Sequence, residues 1–265
     1  MDVLIVGAGS MGRWIADAID TPVAFTDVDE TEAQSAADAV GGRAVPLETD
    51  ERFAAVCLAV PMTHVARAIE THASNAERAI FDVSGVMGPA LEAMDTHAAD
   101  RERVSLHPLF APERAPGSIA VVREEPGPVT DAICATLETR GNDLVETTAA
   151  EHDGAMETVQ AATHAAILSF ALATEPVPEE FETPVYEELR GLAELVTGGT
   201  PRVYADIQDT FDGADAVAGA AHRLADADSE ELEALYREAA EQWRPTGAAR
   251  ADGEASGTQT NETDQ

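Results

Sequence analysis

The sequence predicts an α/β protein: a Rossmann-like doubly wound sheet followed by an all-α C-terminal domain. Three observations predict it. A glycine-rich turn, Gly7-Ala8-Gly9-Ser10-Met11-Gly12, joins an apolar run to a helical pattern at the N-terminus. Short apolar runs then alternate with helical stretches as far as residue 147. From Thr148 onward the pattern is helical almost throughout.

Taken in order, DVLIV at 2–6 reads as the first strand and RWIADAI as the helix after the turn. VAFT at 23–26 is the second strand and ends at Asp27; an Ala-rich helix follows at about 30–40. AAVCLAV at 54–60, AIFDV at 79–83 and VSL at 104–106 read as further strands, with helices near 62–72 and 89–98 between them. Strands alternating with helices imply a parallel sheet covered on both faces. SIAVV at 118–122, a helix at 128–139 and DLVETT at 143–148 complete the sheet. Thr148 with Glu151 forms a capping-box pattern ahead of a long helix running to Pro176. Further helices are expected at 184–197, 201–226 and 229–243. The chain thus divides into a dinucleotide-binding domain at 1–147, a helical domain at 148–245 and a polar tail at 246–265, expected to be disordered for want of large apolar groups.

Acidic residues number 50 against 16 basic ones, all arginine, for a formal net charge of −34. The excess is spread along the chain, which describes a solvated shell and not a binding run. Self-repulsion of this size suits a cytoplasm of very high salt, where the Debye length falls to about 3 Å at 1 M. No basic patch exists to neutralise phosphates, so nucleic acid is not an expected partner. No run of about 18 apolar residues occurs, so no membrane association is expected, and the N-terminus enters a strand directly. Cys57 and Cys134 sit in apolar segments and read as core residues of a cytoplasmic protein.

The glycine turn carries the cofactor expectation. Gly7 permits the tight turn, Gly9 lets backbone approach a pyrophosphate, and Gly12 allows close helix–strand packing. Ser10 and Met11 open the helix whose free N–H groups face the anion. Asp27, twenty residues beyond Gly7, is placed to accept hydrogen bonds from the adenosine ribose and to repel a 2′-phosphate. No arginine lies between Arg13 and Arg43, so NAD is expected over NADP. Val60 and Pro61 end the 54–60 run, where the carboxyl ends of parallel strands face the cofactor cleft.

Hydride transfer from a hydroxyl-bearing carbon needs a base beside the nicotinamide. His107 follows a strand and precedes Pro108, which fixes it in extended or turn backbone at the sheet edge. Here the chain resembles the prephenate dehydrogenase family. Leu106-His107-Pro108-Leu109-Phe110-Ala111-Pro112 is similar to the family's segment of His-Pro, a large apolar residue, Phe and Gly-Pro, whose histidine is the catalytic hydrogen-bond acceptor. The resemblance extends to FDVSGVMGPALEAM at 81–94, AEHDGAMETVQAATHAA at 150–166, TPVYEEL at 183–189 and PRVYADI at 201–207, and covers roughly residues 2–243.

It implies NAD-dependent oxidative decarboxylation of prephenate to 4-hydroxyphenylpyruvate, with His107 as the base. It also implies that His152 and His164, 12 residues apart and about 120° around an unbroken α-helix, flank the substrate cleft. Two departures stand out. The family's serine falls one place early here, as Ser84, with Met87 where a lysine is usual; a one-residue offset can turn a side chain to the other face. The family's carboxylate-gripping arginine would fall at Leu195, and Arg190 lies five residues earlier, with Arg202, Arg114 and Arg123 as substitutes. Ser84 is carried forward as a catalytic candidate and Arg190 as a substrate-binding one.

Arogenate, which differs by a side-chain amine, is an alternative substrate. A related β-hydroxyacid or imine reductase would carry a catalytic lysine, and there is none. A non-catalytic NAD-binding regulatory protein is the reading from another class. The apolar surplus of the helical half points to a homodimer, as the resemblance also implies. No metal is expected.

Overall fold

The computed structural model describes residues 1–244; the tail assigned to 246–265 lies outside the described residues. Eight strands form one sheet: β1 (Val3–Val6), β2 (Val23–Thr26), β3 (Arg43–Ala44), β4 (Phe53–Leu58), β5 (Ala76–Asp82), β6 (Glu102–Pro108), β7 (Ser118–Glu125) and β8 (Asp143–Glu146). They lie in the order β3-β2-β1-β4-β5-β6-β7-β8. From β3 to β6 every pairing is parallel, and β7 then pairs antiparallel to β6.

That reversal departs from the all-parallel expectation. A single 3-10 turn at Pro112–Arg114 is all the helix between β6 and β7, too short for a crossover, so the chain turns back through residues 109–117 as a wide hairpin. Arg43–Ala44 is a strand too short for its periodicity to register in sequence.

Strand alternation divides the core. Val3, Ile5, Phe25, Phe81 and Val104 meet α1 (Ser10–Ala18), α2 (Glu30–Val40) and α5 (Pro128–Thr139) on one face. Leu4, Val56, Leu58 and Ile80 meet α3 (Val65–His72) and α4 (Gly88–His97) on the other. This second face also receives Met156, Ala161, Ile207 and Phe211 from the helices beyond the sheet.

Strands give way to helices at Thr148, whose hydroxyl accepts from the Glu151 N–H while the Glu151 carboxylate accepts from the Thr148 N–H. The expected long helix is three pieces: α6 (Ala149–Met156), a π-helical turn over Glu157–Ala162, and α7 (Thr163–Ala173). α8 (Pro184–Thr197) follows as expected. The helix expected over 201–226 is two, α9 (Pro201–Thr210) and α10 (Gly213–Asp226). The break has a packing cause: Gly213 lies so close to the Glu157 carbonyl and the Ala162 N–H that any side chain there would collide with the π turn.

By contact the first compact unit is Met1–Ala216, which takes in the sheet, α6 to α9 and the start of α10. The second begins at Val217. It holds the rest of α10 and α11 (Ser229–Gln242), which Asp228 and Glu231 cap and an Arg223–Glu238 ion pair of 2.7 Å ties to α10. No described helix is long and apolar enough to cross a membrane.

Candidate active site

The carboxyl ends of β1, β4, β5 and β6 stand side by side, and the loops leaving them touch in sequence. A Cβ on Gly7 would collide with the Ala59 carbonyl and stand 3.3 Å from Val60 Cγ1, and one on Gly85 would stand 2.6 Å from Met62 Cε and 3.6 Å from His107 Nε2. The glycine turn and His107 therefore open on one edge of the sheet, three strand spacings apart, or roughly 14 Å.

At the first of these ends the three glycines have separate reasons. Gly7 has φ +104°, in the left-handed region. Gly12 packs against the Gly7 carbonyl so closely that a Cβ would overlap it. Beside Gly9 a Cβ would meet nothing within 4 Å, and Gly9 opens α1 with no side-chain cap. Free N–H groups at a helix start, facing open space, fit a pyrophosphate. Ser10 is exposed at that start, Met11 is half-buried against the core, and Val60 and Pro61 lie half-buried and exposed across the turn.

Asp27 ends β2 as expected, but its carboxylate already accepts hydrogen bonds from the Ala8 N–H at 2.7 Å and the Asp29 N–H at 3.0 Å. Each oxygen keeps a second lone pair for a ribose hydroxyl. The sequence reading missed Arg13, which reaches across from α1 to Glu32 at 2.9 Å and Ser35 at 3.2 Å. A cation is thus present near the ribose position, neutralised by Glu32.

At the other end His107, on β6, is 7 % exposed. Its Nδ1 lies 2.8 Å from Nε2 of His152, and Nδ1 of His152 lies 2.7 Å from Asp153. The Asp153 carboxylate also accepts from the N–H groups of Met87 (2.9 Å) and Gly88 (2.8 Å) at the start of α4. With both rings neutral, one direction of hydrogen bonding satisfies every pair. Asp153 accepts from His152 Nδ1–H, His152 Nε2 accepts from His107 Nδ1–H, and His107 Nε2 is left as a lone pair facing Gly85 and the Gln160 amide nitrogen, 3.5 Å away. Burial, reinforced by His152, pushes the His107 pKa down to about 3 against an opposing pull from Asp153, so the ring stays neutral. Burial also pushes Asp153 up, but the hydrogen bonds from His152, Met87 and Gly88 prevail and hold it below its ordinary value.

His152 therefore has a different place from the one expected: both its nitrogens are engaged, and neither is free for substrate. The Ser84 hydroxyl is likewise turned away, bonded to Asp82 and the Val86 carbonyl. The one-residue offset leaves Gly85 opposite His107. Asp82 is fully buried, and burial raises its pKa to about 6 against the opposing pull of its serine hydrogen bonds.

His164 stacks edge-on against Tyr204 of α9, ring centroids 4.8 Å apart, with Nδ1 buried and unpartnered among the described residues. A π turn holds one residue more than an α turn, which changes the expected 120° from His152 to roughly 20°. Arg190 is held by Glu182 at 3.2 Å and Glu194 at 2.8 Å, and no hydrogen bond joins it to the histidines. Among its substitutes, Arg123 is bound to Asp131 and Glu146 near β8, and Arg202 pairs with the buried Asp206 at the start of α9. Asp153, Gln160 and Gly85 are the site residues that sequence reasoning passed over; Asp153 and Gln160 both stood inside the quoted 150–166 segment.

The fold is that of Rossmann-type oxidoreductases. No protein-family model matches the sequence. The chain is 30% identical over 238 residues to the 4-amino-4-deoxyprephenate dehydrogenase of Streptomyces pristinaespiralis, covering 81% of this chain and 78% of the relative. It belongs to the prephenate dehydrogenase family. Prephenate dehydrogenase from Aquifex aeolicus shares the fold at a TM-score of 0.67 and 16% identity, over 91% of this chain and 98% of that one. A complex from A. aeolicus holding hydroxyphenyl propionate and NAD+ gives 0.65 at 14% identity, over 91% and 97%. Synechocystis arogenate dehydrogenase gives 0.60 at 15% identity, over 91% and 98%.

Proposed function

We propose that this protein is an NAD-dependent dehydrogenase that oxidatively decarboxylates prephenate to 4-hydroxyphenylpyruvate. The observation that carries the proposal is the orientation of His107: a neutral ring whose second nitrogen keeps its lone pair toward Gly85 and the Gln160 amide nitrogen, on the sheet edge that also bears the glycine turn.

Gly7, Gly9 and Gly12 with the start of α1 would hold the pyrophosphate, and Asp27 the ribose. Asp27 and the Arg13–Glu32 pair favour NAD, since a 2′-phosphate would meet a carboxylate and an already neutralised cation. When bound, the nicotinamide accepts the hydride from ring carbon C4. His107 Nε2 accepts the hydrogen bond of the C4 hydroxyl and carries its proton while charge builds on that oxygen. The ring–carboxylate bond breaks as carbon dioxide leaves, its electrons complete the aromatic ring, and the proton ends on the phenol. His152 and Asp153 hold His107 in the productive tautomer. His164, whose Nδ1 has no partner among the described residues, is the group we assign to a substrate carboxylate, since Arg190 and Arg202 are both already paired with carboxylates of the chain.

Helices from 148 onward form the substrate and dimerisation part, and the acidic surface reflects life in high salt in a soluble, cytoplasmic homodimer. A second reading, favoured by Gly85 in place of a hydroxyl opposite His107 and by the Streptomyces relative, is a C4 amino substrate. Arogenate is a third. Steady-state NADH production in molar KCl with prephenate, arogenate and 4-amino-4-deoxyprephenate decides among them. No turnover of any of the three would end the proposal.

A further inference from the structure

Gln160 is the side chain beside His107 that the scheme above leaves without a task. Its amide nitrogen lies 3.5 Å from His107 Nε2, and its amide oxygen is buried with no hydrogen-bond partner among the described residues. A buried acceptor without a donor is costly to keep. The π turn that carries Gln160 is held in place from α9, where the Gln208 amide donates to the Ala161 carbonyl at 3.0 Å, and by the close seat of Gly213. The base is otherwise bare: Ser84 points at Asp82, and position 85 has no side chain.

We propose that Gln160 contacts the substrate and supplies the second hydrogen bond to the group on ring carbon C4, filling the role that a side chain at position 85 would otherwise take. An amide both donates and accepts. Its N–H donates to a C4 hydroxyl oxygen while His107 takes that hydroxyl's proton; its oxygen accepts from a C4 amine. The site thereby accommodates either substituent. The inference rests on His107 as the base, so both are tested together.

Q160L, Q160E, the double variant Q160L/G85S and H107N are compared with the parent enzyme for kcat and KM toward prephenate and 4-amino-4-deoxyprephenate, with thermal melts as the control for folding. Q160L is expected to lose roughly 10- to 100-fold in kcat/KM, with KM for NAD and the melting temperature held. Adding G85S is expected to recover several-fold, because only the flexible end of Met62 must move to admit the serine. Q160E, which keeps the acceptor and loses the donor, is expected to lose more on the hydroxyl substrate than on the amine. Parental kcat/KM in Q160L beside an inactive H107N overturns the role of Gln160 and leaves the base standing. An active H107N overturns both. If Q160L fails to fold, Q160E decides: equal losses on the two substrates overturn the proposal.

Discussion

His152 Nε2 stands 2.8 Å from His107 Nδ1, and this contact fixes which nitrogen of His107 is left to face Gly85 and Gln160. Replacing His107 by asparagine removes the lone pair; turnover at saturating prephenate is expected to fall by about 10² to 10⁴. Stopped-flow or steady-state absorbance of NADH reads it directly. Replacing His152 by alanine keeps the base but leaves its Nδ1–H buried and unpaired, so a loss of about 1–3 kcal/mol in stability should accompany the loss in kcat.

Asp153 joins the relay to the start of α4, so Asp153→Ala should show two effects at once. Losing the hydrogen bonds to Met87 and Gly88 costs about 0.5–2 kcal/mol, as for other helix caps, and kcat falls because His152 loses its acceptor. Denaturant melts and kinetics on one preparation separate the two; an unchanged kcat would remove Asp153 from the relay.

The pH dependence of stability has contributions of opposite sign. His107 titrates near 3 in the folded chain, below the free value of about 6.5. Its contribution is present above pH 6.5 and is lost as pH falls toward 3. Asp82 titrates near 6, above the free value of about 3.9, so its contribution is present below pH 4 and is lost as pH rises through 6. Acidification from pH 7 to 4 should lower the melting temperature of H107N less, and that of Asp82→Asn more, than that of the parent protein in matched salt.

Gly9→Ala should separate folding from cofactor binding. The space beside Gly9 is open, so the melting temperature should hold while KM for NAD rises roughly tenfold or more. Gly12→Ala forces a methyl into the Gly7 carbonyl and should lower stability itself. Equal melting losses in the two variants would count against the cradle.

The charge of −34 makes salt a structural variable. Melting temperature should rise steadily between low ionic strength and molar KCl as repulsion is screened. Full stability at low ionic strength would refute adaptation to salt.

What the sequence by itself determined is what rests on local chemistry. The glycine turn, the strand periodicity as far as His107 and the Thr148–Glu151 cap each depend on neighbours within a few residues, so each was legible. What tertiary structure decided are relations between distant segments. His107 and His152 are 45 residues apart, Gly213 seats against a π turn more than 50 residues earlier, and the Ser84 hydroxyl takes its direction from buried Asp82. A one-residue π insertion leaves hydrophobic spacing almost unaltered yet swings a side chain by roughly 100°. Periodicity fixes a helix's buried stripe, while the direction of a hydrogen bond between two rings exists only once packing has brought them together.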